Sequence, residues 1–126
     1  MAQHQPTAAE LEILQVLWKE KQATVRFVHE KLNDKKSVTY TTTLKIMQNM
    51  TDKQLVGRKT DGRSHVYYPL AEKEKTRRNL LERFLDTTFS GSASEMVMQL
   101  LGNHKTTEKE LEEIKAVIEK LENNKQ

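Results

Sequence analysis

Apolar side chains in the first third of the chain recur at steps of three and four residues, the spacing of one helix face. The repeating positions are Leu11, Leu14, Leu17 and Trp18. Thr7 precedes Glu10 by the three residues of a capping box, so a helix is predicted to begin after Thr7 and to end near 19–23. Thr24 is placed to cap a second, shorter helix over 25–33.

The stretch from Ser37 to Met50, SVTYTTTLKIMQNM, combines strand-favouring residues with a helical pattern. Its threonines and tyrosine are β-branched or aromatic, and such residues favour strands. Its later half places Thr43, Met47 and Met50 on one face and lacks the alternation of a strand. A third helix is therefore predicted, with Thr39 as its cap and the other threonines in its first turn, where hydroxyls can bond free backbone N–H groups.

Two strand-favouring runs, 55–60 and 64–70, flank the dipeptide Asp61-Gly62. An Asp-Gly pair between such runs predicts a tight β-hairpin, and Pro69 lies where the second strand should end. Three helices followed by a hairpin is the order of a winged helix-turn-helix domain. A small α+β domain of unrelated purpose has the same order, so the order alone leaves both open.

From Ala71 onwards the sequence is helical again, and the predicted helices carry apolar stripes. Capping-box spacings precede two of these helices, Ser92 to Glu95 and Thr107 to Glu110. The chain offers too little neighbouring core to cover the stripes. A second copy of the chain is the simplest partner that would bury these stripes.

The composition suits a small domain with an appended helical arm, since 126 residues are 36% hydrophobic, 31% charged and 6% aromatic. We predict a mainly α fold with a small β-hairpin wing, in which an N-terminal winged helix-turn-helix domain over 1–70 precedes a C-terminal helical dimerisation domain over 71–126. No apolar run approaches the roughly 18 residues of a membrane span, and the N-terminus lacks a signal-peptide pattern. A cytoplasmic location without membrane insertion is therefore expected.

Positive charge is concentrated in the middle of the chain. Residues 1–34 hold four Lys or Arg and five Asp or Glu, residues 35–78 hold eleven and four, and residues 79–126 hold six and nine. The segment charges are −1, +7 and −3, within a formal net charge of +3. A basic middle beside an acidic last third indicates a polyanion-binding face coupled to a part that does not touch the polyanion.

The third helix and the hairpin supply the candidate groups for DNA binding. Hydroxyl, amide and ammonium groups opposite the buried helix face can contact base edges in a major groove, and cations at the hairpin can lie along phosphates. The residues assigned to DNA contact are Thr39, Thr41, Thr42, Lys45, Gln48, Asn49, Arg58, Lys59, Arg63 and Ser64. The plain alternative is a solvated polar face, and the basic middle segment favours DNA.

No pattern of a catalytic or metal site is present. Zero cysteines exclude disulfides, Cys-type zinc sites and Cys nucleophiles. The histidines, His4, His29, His65 and His104, have no ligand-like spacing, and no nucleophile elbow or phosphate loop accompanies them. The sequence predicts a protein that is not an enzyme and that uses no metal and no cofactor.

Five segments together resemble the penicillinase-repressor family of bacterial winged-helix regulators, the BlaI/MecI type. They are AELEILQVLW in the first helix, ATVRFVHEKL in the second, YTTTLKIMQNM in the third, GRSHVYYPL in the hairpin and GSASEMVMQLLGN beyond it. They cover nearly the whole chain in order. The resemblance implies a homodimeric transcriptional repressor whose winged-helix domains bind the two halves of an inverted-repeat operator in double-stranded DNA.

The resemblance also implies how the dimer is held and how repression is relieved. The residues that inherit the dimerisation role are Leu81, Phe84, Leu85, Met96, Leu100, Leu101, Ile114, Ile118 and Leu121. Relief by proteolysis, triggered by a membrane receptor with a metalloprotease domain, is expected to fall near the bond between Gln99 and Leu100. The copper-responsive branch of the family carries cysteines near its C-terminus, so a chain without cysteine is not expected to sense copper.

Two other functions remain open from the sequence. A protein-interaction module would use the winged helix as a scaffold and its C-terminal helices to dock a partner. A ligand-sensing winged-helix regulator would hold a small molecule between the helical arm and the DNA-binding domain. The sequence shows no convergent set of polar residues for a ligand, so the sensor ranks below relief by proteolysis.

Overall fold

The computed structural model describes residues 5–103 and 105–125, which form six helices and a three-stranded sheet. The helices are α1 (Ala8–Glu20), α2 (Val25–Asn33), α3 (Tyr40–Asp52), α4 (Lys73–Phe89), α5 (Ala93–Asn103) and α6 (Glu108–Asn124). The strands are β1 (Ala23–Thr24), β2 (Val56–Asp61) and β3 (Ser64–Pro69). The predicted class, mainly α with a small β-hairpin wing, is confirmed. None of the helices in these two ranges is long and apolar enough to span a membrane.

The chain divides into two compact units, Met1–Leu81 and Glu82–Gln126. The first unit holds α1 to α3, the sheet and the first part of α4, and the second holds the rest of α4 with α5 and α6. The assignment of 1–70 to DNA binding and of 71–126 to dimerisation is a division by function. It stays a prediction.

Threonine hydroxyls start the first two helices. Thr7 Oγ1 accepts a hydrogen bond from the N–H of Glu10 at 3.2 Å, and the N–H of Thr7 donates to Glu10 Oε1 at 2.9 Å. Thr24 Oγ1 accepts a hydrogen bond from the N–H of Phe27 at 3.1 Å. Each of these bonds satisfies a backbone donor that has no partner within its own helix. Both predicted caps are confirmed.

The core of the first unit is built from one face each of α1, α2 and α3 together with the hairpin. Its largest fully buried apolar side chains are Ile13, Leu14, Leu17, Val28, Met47, Met50, Val56 and Tyr67. The predicted stripe of α1 omits Ile13, which lies in the core; of its own members, Leu14 and Leu17 are fully buried, Trp18 packs half-buried against the core, and Leu11 is half-buried. Glu10 is also buried on α1, and it meets Lys53 at the C-terminal end of α3.

The sequence pattern does not predict β1, which joins the hairpin to the segment between α1 and α2. This strand pairs antiparallel with β3, with Ala23 opposite Tyr67 and Thr24 opposite Val66, and the sheet order is β1-β3-β2. Two residues are too few to show the alternation that marks a strand. The pairing therefore comes from the tertiary fold and not from local sequence.

The hairpin turns one residue later than predicted. Asp61 pairs with Ser64 and belongs to β2, so the central turn residues are Gly62 and Arg63 and not Asp61 and Gly62. Gly62 has a φ of 67°, and a glycine with positive φ at the first central position is typical of a type II′ turn. The Asp-Gly dipeptide locates the hairpin but does not fix its register.

A close approach in the hairpin requires glycine. Gly57 stands opposite Tyr68 in the pairing of β2 with β3. A Cβ atom at position 57 would overlap the Tyr68 ring. An aromatic ring that covers a glycine on the neighbouring strand helps to hold one strand register, so this contact stabilises the predicted wing.

Three hydrogen bonds fix the segment that leads from β3 into α4. The N–H groups of Leu70 and Ala71 donate to the carbonyl oxygen of Leu55 at 2.9 and 3.1 Å. The indole N–H of Trp18 donates to the carbonyl oxygen of Ala71 at 2.9 Å. The chain leading into α4 is therefore tied to α1 and to the residue that precedes β2.

The second unit leaves most of its apolar side chains exposed. Ser92 Oγ accepts a hydrogen bond from the N–H of Glu95 at 3.2 Å, and Thr107 Oγ1 accepts one from the N–H of Glu110 at 3.1 Å, so both predicted caps are confirmed. In the described part of this unit, no residue of α5 or α6 is fully buried. Its exposed large apolar side chains include Phe84, Val97, Met98, Leu100, Leu111, Val117, Ile118 and Leu121.

A partly buried ion pair links the first turn of α1 to the C-terminal end of α3. Lys53 Nζ lies 2.8 Å from Glu10 Oε2 and 3.1 Å from Glu10 Oε1, and Glu10 is only 4% exposed. Burial by itself raises the pKa of the Glu10 carboxyl. The hydrogen bonds from Lys53 and Thr7 and the charge of Lys53 outweigh that effect, so the pKa of Glu10 lies below its ordinary value.

Replacing Lys53 with Met is expected to lower the free energy of unfolding by about 2 kcal/mol at about pH 7, because a buried carboxylate loses its partner. The folded-state pKa of Glu10 lies below the unfolded value of about 4.3. The stabilisation is therefore complete above the unfolded pKa and is lost as the pH falls through the folded-state pKa. Urea denaturation of wild type and variant at about pH 7 and about pH 3 checks that the difference between them shrinks in acid.

A matched control is Lys36→Met, which removes the exposed pair between Lys36 and Glu12, 3.1 Å apart. This variant is expected to change the free energy of unfolding by less than about 0.5 kcal/mol. Equal losses in the two variants would show that burial adds nothing to the Glu10–Lys53 pair.

Candidate nucleic-acid interface

Thr39 builds the N-terminal end of α3. Its backbone is extended, with φ −79° and ψ 153°, and its Oγ1 accepts a hydrogen bond from the N–H of Thr42 at 3.2 Å. The hydroxyls of Thr39 and Thr42 also bond to each other, with 2.8 Å between their oxygens. The predicted cap is confirmed, and β-branched residues are tolerated here because they lie in the first turn.

The buried face of α3 matches the prediction from helical spacing. Thr43, Met47 and Met50 are fully buried. The Thr43 hydroxyl donates to the carbonyl oxygen of Thr39 at 3.4 Å, and the Nδ1 atom of His29 lies 3.1 Å from Thr43 Oγ1. The single polar side chain of this face is therefore hydrogen-bonded both to its own helix and to α2.

The opposite face of α3 is exposed and polar. It presents the side chains that were assigned to DNA contact on this helix, Thr41, Thr42, Lys45, Gln48 and Asn49. Asp52 is exposed on the same face, at its C-terminal end. Because a carboxylate repels phosphate, the N-terminal part of this face is the part suited to DNA. The contact roles of these residues stay predictions.

The structure distinguishes Thr41 from Thr42, which the sequence places together in the first turn of α3. Thr39 and Thr42 bond to each other through their hydroxyls, and Thr39 also serves the backbone. Thr41 is exposed and belongs to no capping bond that the structure shows. Its hydroxyl and methyl group are therefore the most available of the three for a base edge.

The wing presents a row of exposed polar residues. They are Arg58, Lys59, Thr60, Arg63, Ser64 and His65, together with the acidic Asp61 next to the turn. Because successive residues of a strand point to opposite faces, Arg58 and Lys59 lie on different sides of the wing.

In the part of the chain that the structure describes, the cations of α3 and the wing form no ion pairs. Within residues 5–103 and 105–125, none of the Lys–carboxylate or Arg–carboxylate pairs involves Lys45, Arg58, Lys59 or Arg63. Such cations can approach a phosphate without first giving up a carboxylate partner. They give affinity that depends strongly on salt.

The described histidines are dispersed over the first unit. His29 bonds to Thr43, and His65 is exposed on the wing, whereas His4 and His104 lie outside the described residues. Across the described part of the chain, no three His, Asp or Glu side chains gather as metal ligands.

Tyr40 is a surface residue beside the predicted DNA-contact residues of α3 that helical spacing does not single out. It is the first residue of α3 and is 47% exposed. Its ring meets the ring of His29 edge to face, with centroids 5.5 Å apart and an interplanar angle of 79°. Helical spacing gives no signal for this contact, because the partner lies on another helix.

A model of the penicillinase repressor family matches residues 6–120. The chain belongs to this family. The resemblance carried by the five sequence segments is therefore confirmed. Members of the family are DNA-binding transcriptional repressors.

Individual relatives are distant but match over nearly their whole length. The methicillin resistance regulatory protein MecI of Staphylococcus aureus strain N315 is 21% identical over 114 residues, which cover 90% of this chain and 93% of that protein. The penicillinase repressor of Bacillus licheniformis is 24% identical over 117 residues, covering 93% of this chain and 91% of that protein.

A solved structure shows the same fold over more than half of the chain. The solution structure of the DNA binding domain of the repressor BlaI matches with a TM-score of 0.52 and 24% sequence identity, over 57% of this chain and 88% of that one. The winged helix-turn-helix prediction is confirmed by this match together with the order of helices and strands.

Replacing Thr39 with Ala is expected to lower the free energy of unfolding by about 1 kcal/mol, because the N–H of Thr42 loses its capping oxygen. Thr41→Ala is the matched control, since it deletes the same atoms from an exposed helical position without a cap. Its expected change is below about 0.5 kcal/mol. Urea denaturation measures both variants, and equal losses would show that the Thr39 cap does not stabilise α3.

Proposed function

We propose that this protein is a homodimeric transcriptional repressor, in which α3 and the wing of each copy bind one half of an inverted-repeat operator. The observation that carries the proposal is the exposed polar face of α3, which presents Thr41, Lys45 and Gln48 opposite a fully buried face. Membership of the penicillinase repressor family supports the same reading. The protein acts by occupying DNA and needs no catalytic group.

The side chains of α3 match the chemistry of a major groove. The amides of Gln48 and Asn49 can bond an adenine in two places, and Lys45 can bond a guanine edge or a phosphate. The methyl group of Thr41 can pack on a thymine methyl while its hydroxyl bonds a neighbouring base. The cations of the wing, led by Arg58 and Arg63, add affinity through phosphates.

Dimerisation is proposed from the apolar side chains that one chain leaves uncovered. Of the residues assigned to the interface, Leu81, Phe84, Leu100, Ile118 and Leu121 are exposed, and Leu85, Met96, Leu101 and Ile114 are half-buried. A two-fold dimer covers the same stripe on both copies. It also places two recognition helices on two half-sites, which matches the symmetry of an inverted repeat.

Relief of repression is proposed to follow cleavage between Gln99 and Leu100 in α5, triggered by a membrane receptor with a metalloprotease domain. Both residues are exposed, and no residue of α5 is fully buried in the described unit. A protease needs its substrate extended, so α5 must open locally, and a helix with few buried contacts opens at low cost. The cut would divide the proposed interface and so weaken the dimer.

The exposed apolar side chains of the C-terminal helices also suit a second function. A protein-interaction module would present Phe84, Ile118 and Leu121 to a different protein. It would be a monomer in isolation and would ignore the DNA upstream of its own coding sequence. The two measurements below separate it from the repressor.

Binding to the DNA upstream of its own coding sequence is expected to weaken steeply with salt. If about six phosphates are neutralised, affinity falls by about 10³ between about 50 and 200 mM salt. Lys45→Ala is expected to weaken binding. It should also make the slope of log affinity against log salt concentration shallower by about one for each copy bound. Lys120→Ala, on exposed α6, is the control and should leave both unchanged. Flat salt dependence would contradict phosphate binding.

The double substitution of Asp for both Ile114 and Ile118 is expected to dissociate the dimer, since buried carboxylates without partners oppose association. Operator affinity should fall with it, because each half-site is then bound separately. The matched control is Ala116→Asp with Asn123→Asp, which adds the same charge to the opposite face of α6. Sedimentation of the pure proteins measures the state, and an unchanged dimer in the first variant would remove α6 from the interface.

A further inference from the structure

Tyr40 occupies the edge of α3 that lies next to α2. Counted around the helix, it stands between the buried face of Thr43 and Met47 and the polar face of Thr41 and Lys45. Tyr40 is 47% exposed, so part of the residue is covered and part is open to solvent. The covered part faces His29 of α2.

The contact with His29 restricts the ring of Tyr40. The two rings meet edge to face at 5.5 Å, an arrangement that aromatic pairs favour. His29 is held in turn by its Nδ1 atom, 3.1 Å from the hydroxyl oxygen of the fully buried Thr43. A side chain that is ordered before binding loses less conformational entropy when it meets DNA. This chain of contacts orders the Tyr40 ring in the free protein.

The position of Tyr40 suits a phosphate better than a base edge. In helix-turn-helix proteins the second helix of the motif enters the major groove with its N-terminal residues, while the preceding helix crosses the sugar-phosphate backbone. Tyr40 is the N-terminal residue of α3 and touches α2. A side chain at that junction lies at the rim of the groove, where tyrosine hydroxyls are known donors to phosphate oxygens.

We propose that Tyr40 is a further operator-binding residue, which donates its phenolic O–H to a phosphate oxygen at the rim of the major groove, and that His29 positions its ring. The inference rests on the proposed function, because it assumes that α3 enters a major groove. It adds a neutral donor to the cations of α3 and the wing. A contact to a phosphate fixes the position of the helix on the duplex and reads no base.

The test is Tyr40→Phe in the full chain, which removes the phenolic oxygen and keeps the ring on His29. Binding is measured well below the melting temperature of each variant, on the duplex upstream of the coding sequence and on an unrelated duplex. Affinity is expected to fall about tenfold for the upstream duplex, as for loss of a hydrogen bond to a charged acceptor, and by a similar factor for the unrelated one. The melting temperature is expected to stay unchanged.

The role of His29 is tested by a double-mutant cycle with His29→Leu. If His29 acts by positioning Tyr40, His29→Leu weakens binding in the wild-type background and has little further effect in Tyr40→Phe. A purely structural role would weaken binding by the same factor in both backgrounds. That result would overturn the positioning role.

The outcomes also separate this inference from the proposed function. Wild-type affinity for Tyr40→Phe, with a loss in Lys45→Ala, would overturn the role of Tyr40 and leave the repressor in place. A loss in Tyr40→Phe confined to one base-pair pattern would overturn the phosphate assignment. A wild-type protein that ignores both duplexes at low salt would overturn the proposed function and the inference together.

Discussion

The burial of one face of α3 is the constraint on which the rest of the first unit depends. Met47 and Met50 are fully buried in the core that α1, α2 and the hairpin share. Hydrophobic burial of this kind fixes which side of a helix remains free. Because the buried stripe is fixed, the exposed stripe is fixed too. The side chains of α3 that pack in the core therefore determine which side chains are left exposed for binding.

Polar contacts refine what hydrophobic packing begins. Thr39 caps α3, and Thr43 carries the only hydroxyl on its buried face, bonded to the helix and to α2. Among the described residues, no buried side-chain nitrogen or oxygen lacks a hydrogen-bond partner. Buried polar groups that are fully bonded favour one arrangement of the elements, since each alternative would leave one of them unpaired. The start of α3 is consequently well defined in both position and rotation.

Local signals predicted the fold well, and contacts between distant segments were the part that sequence could not supply. The cap at Thr39 and the burial of Met47 follow from spacing within one helix. The strand β1 has two residues, and its partner β3 lies far along the chain, so no local pattern predicts it. The meeting of Tyr40 with His29 joins two helices in the same way. The assigned DNA and dimer roles depend on molecules outside this chain and stay predictions.

The hydrogen bond between Trp18 and Ala71 has a practical consequence. Trp18 is the single tryptophan of the chain, and its indole N–H is bonded to the backbone just before α4 begins. Tryptophan emission responds to the polarity and hydrogen bonding of the indole. The protein thus carries its own fluorophore at the passage from the wing to the C-terminal helices. A rearrangement that breaks the bond between Trp18 and Ala71 therefore has a spectroscopic readout that needs no added label.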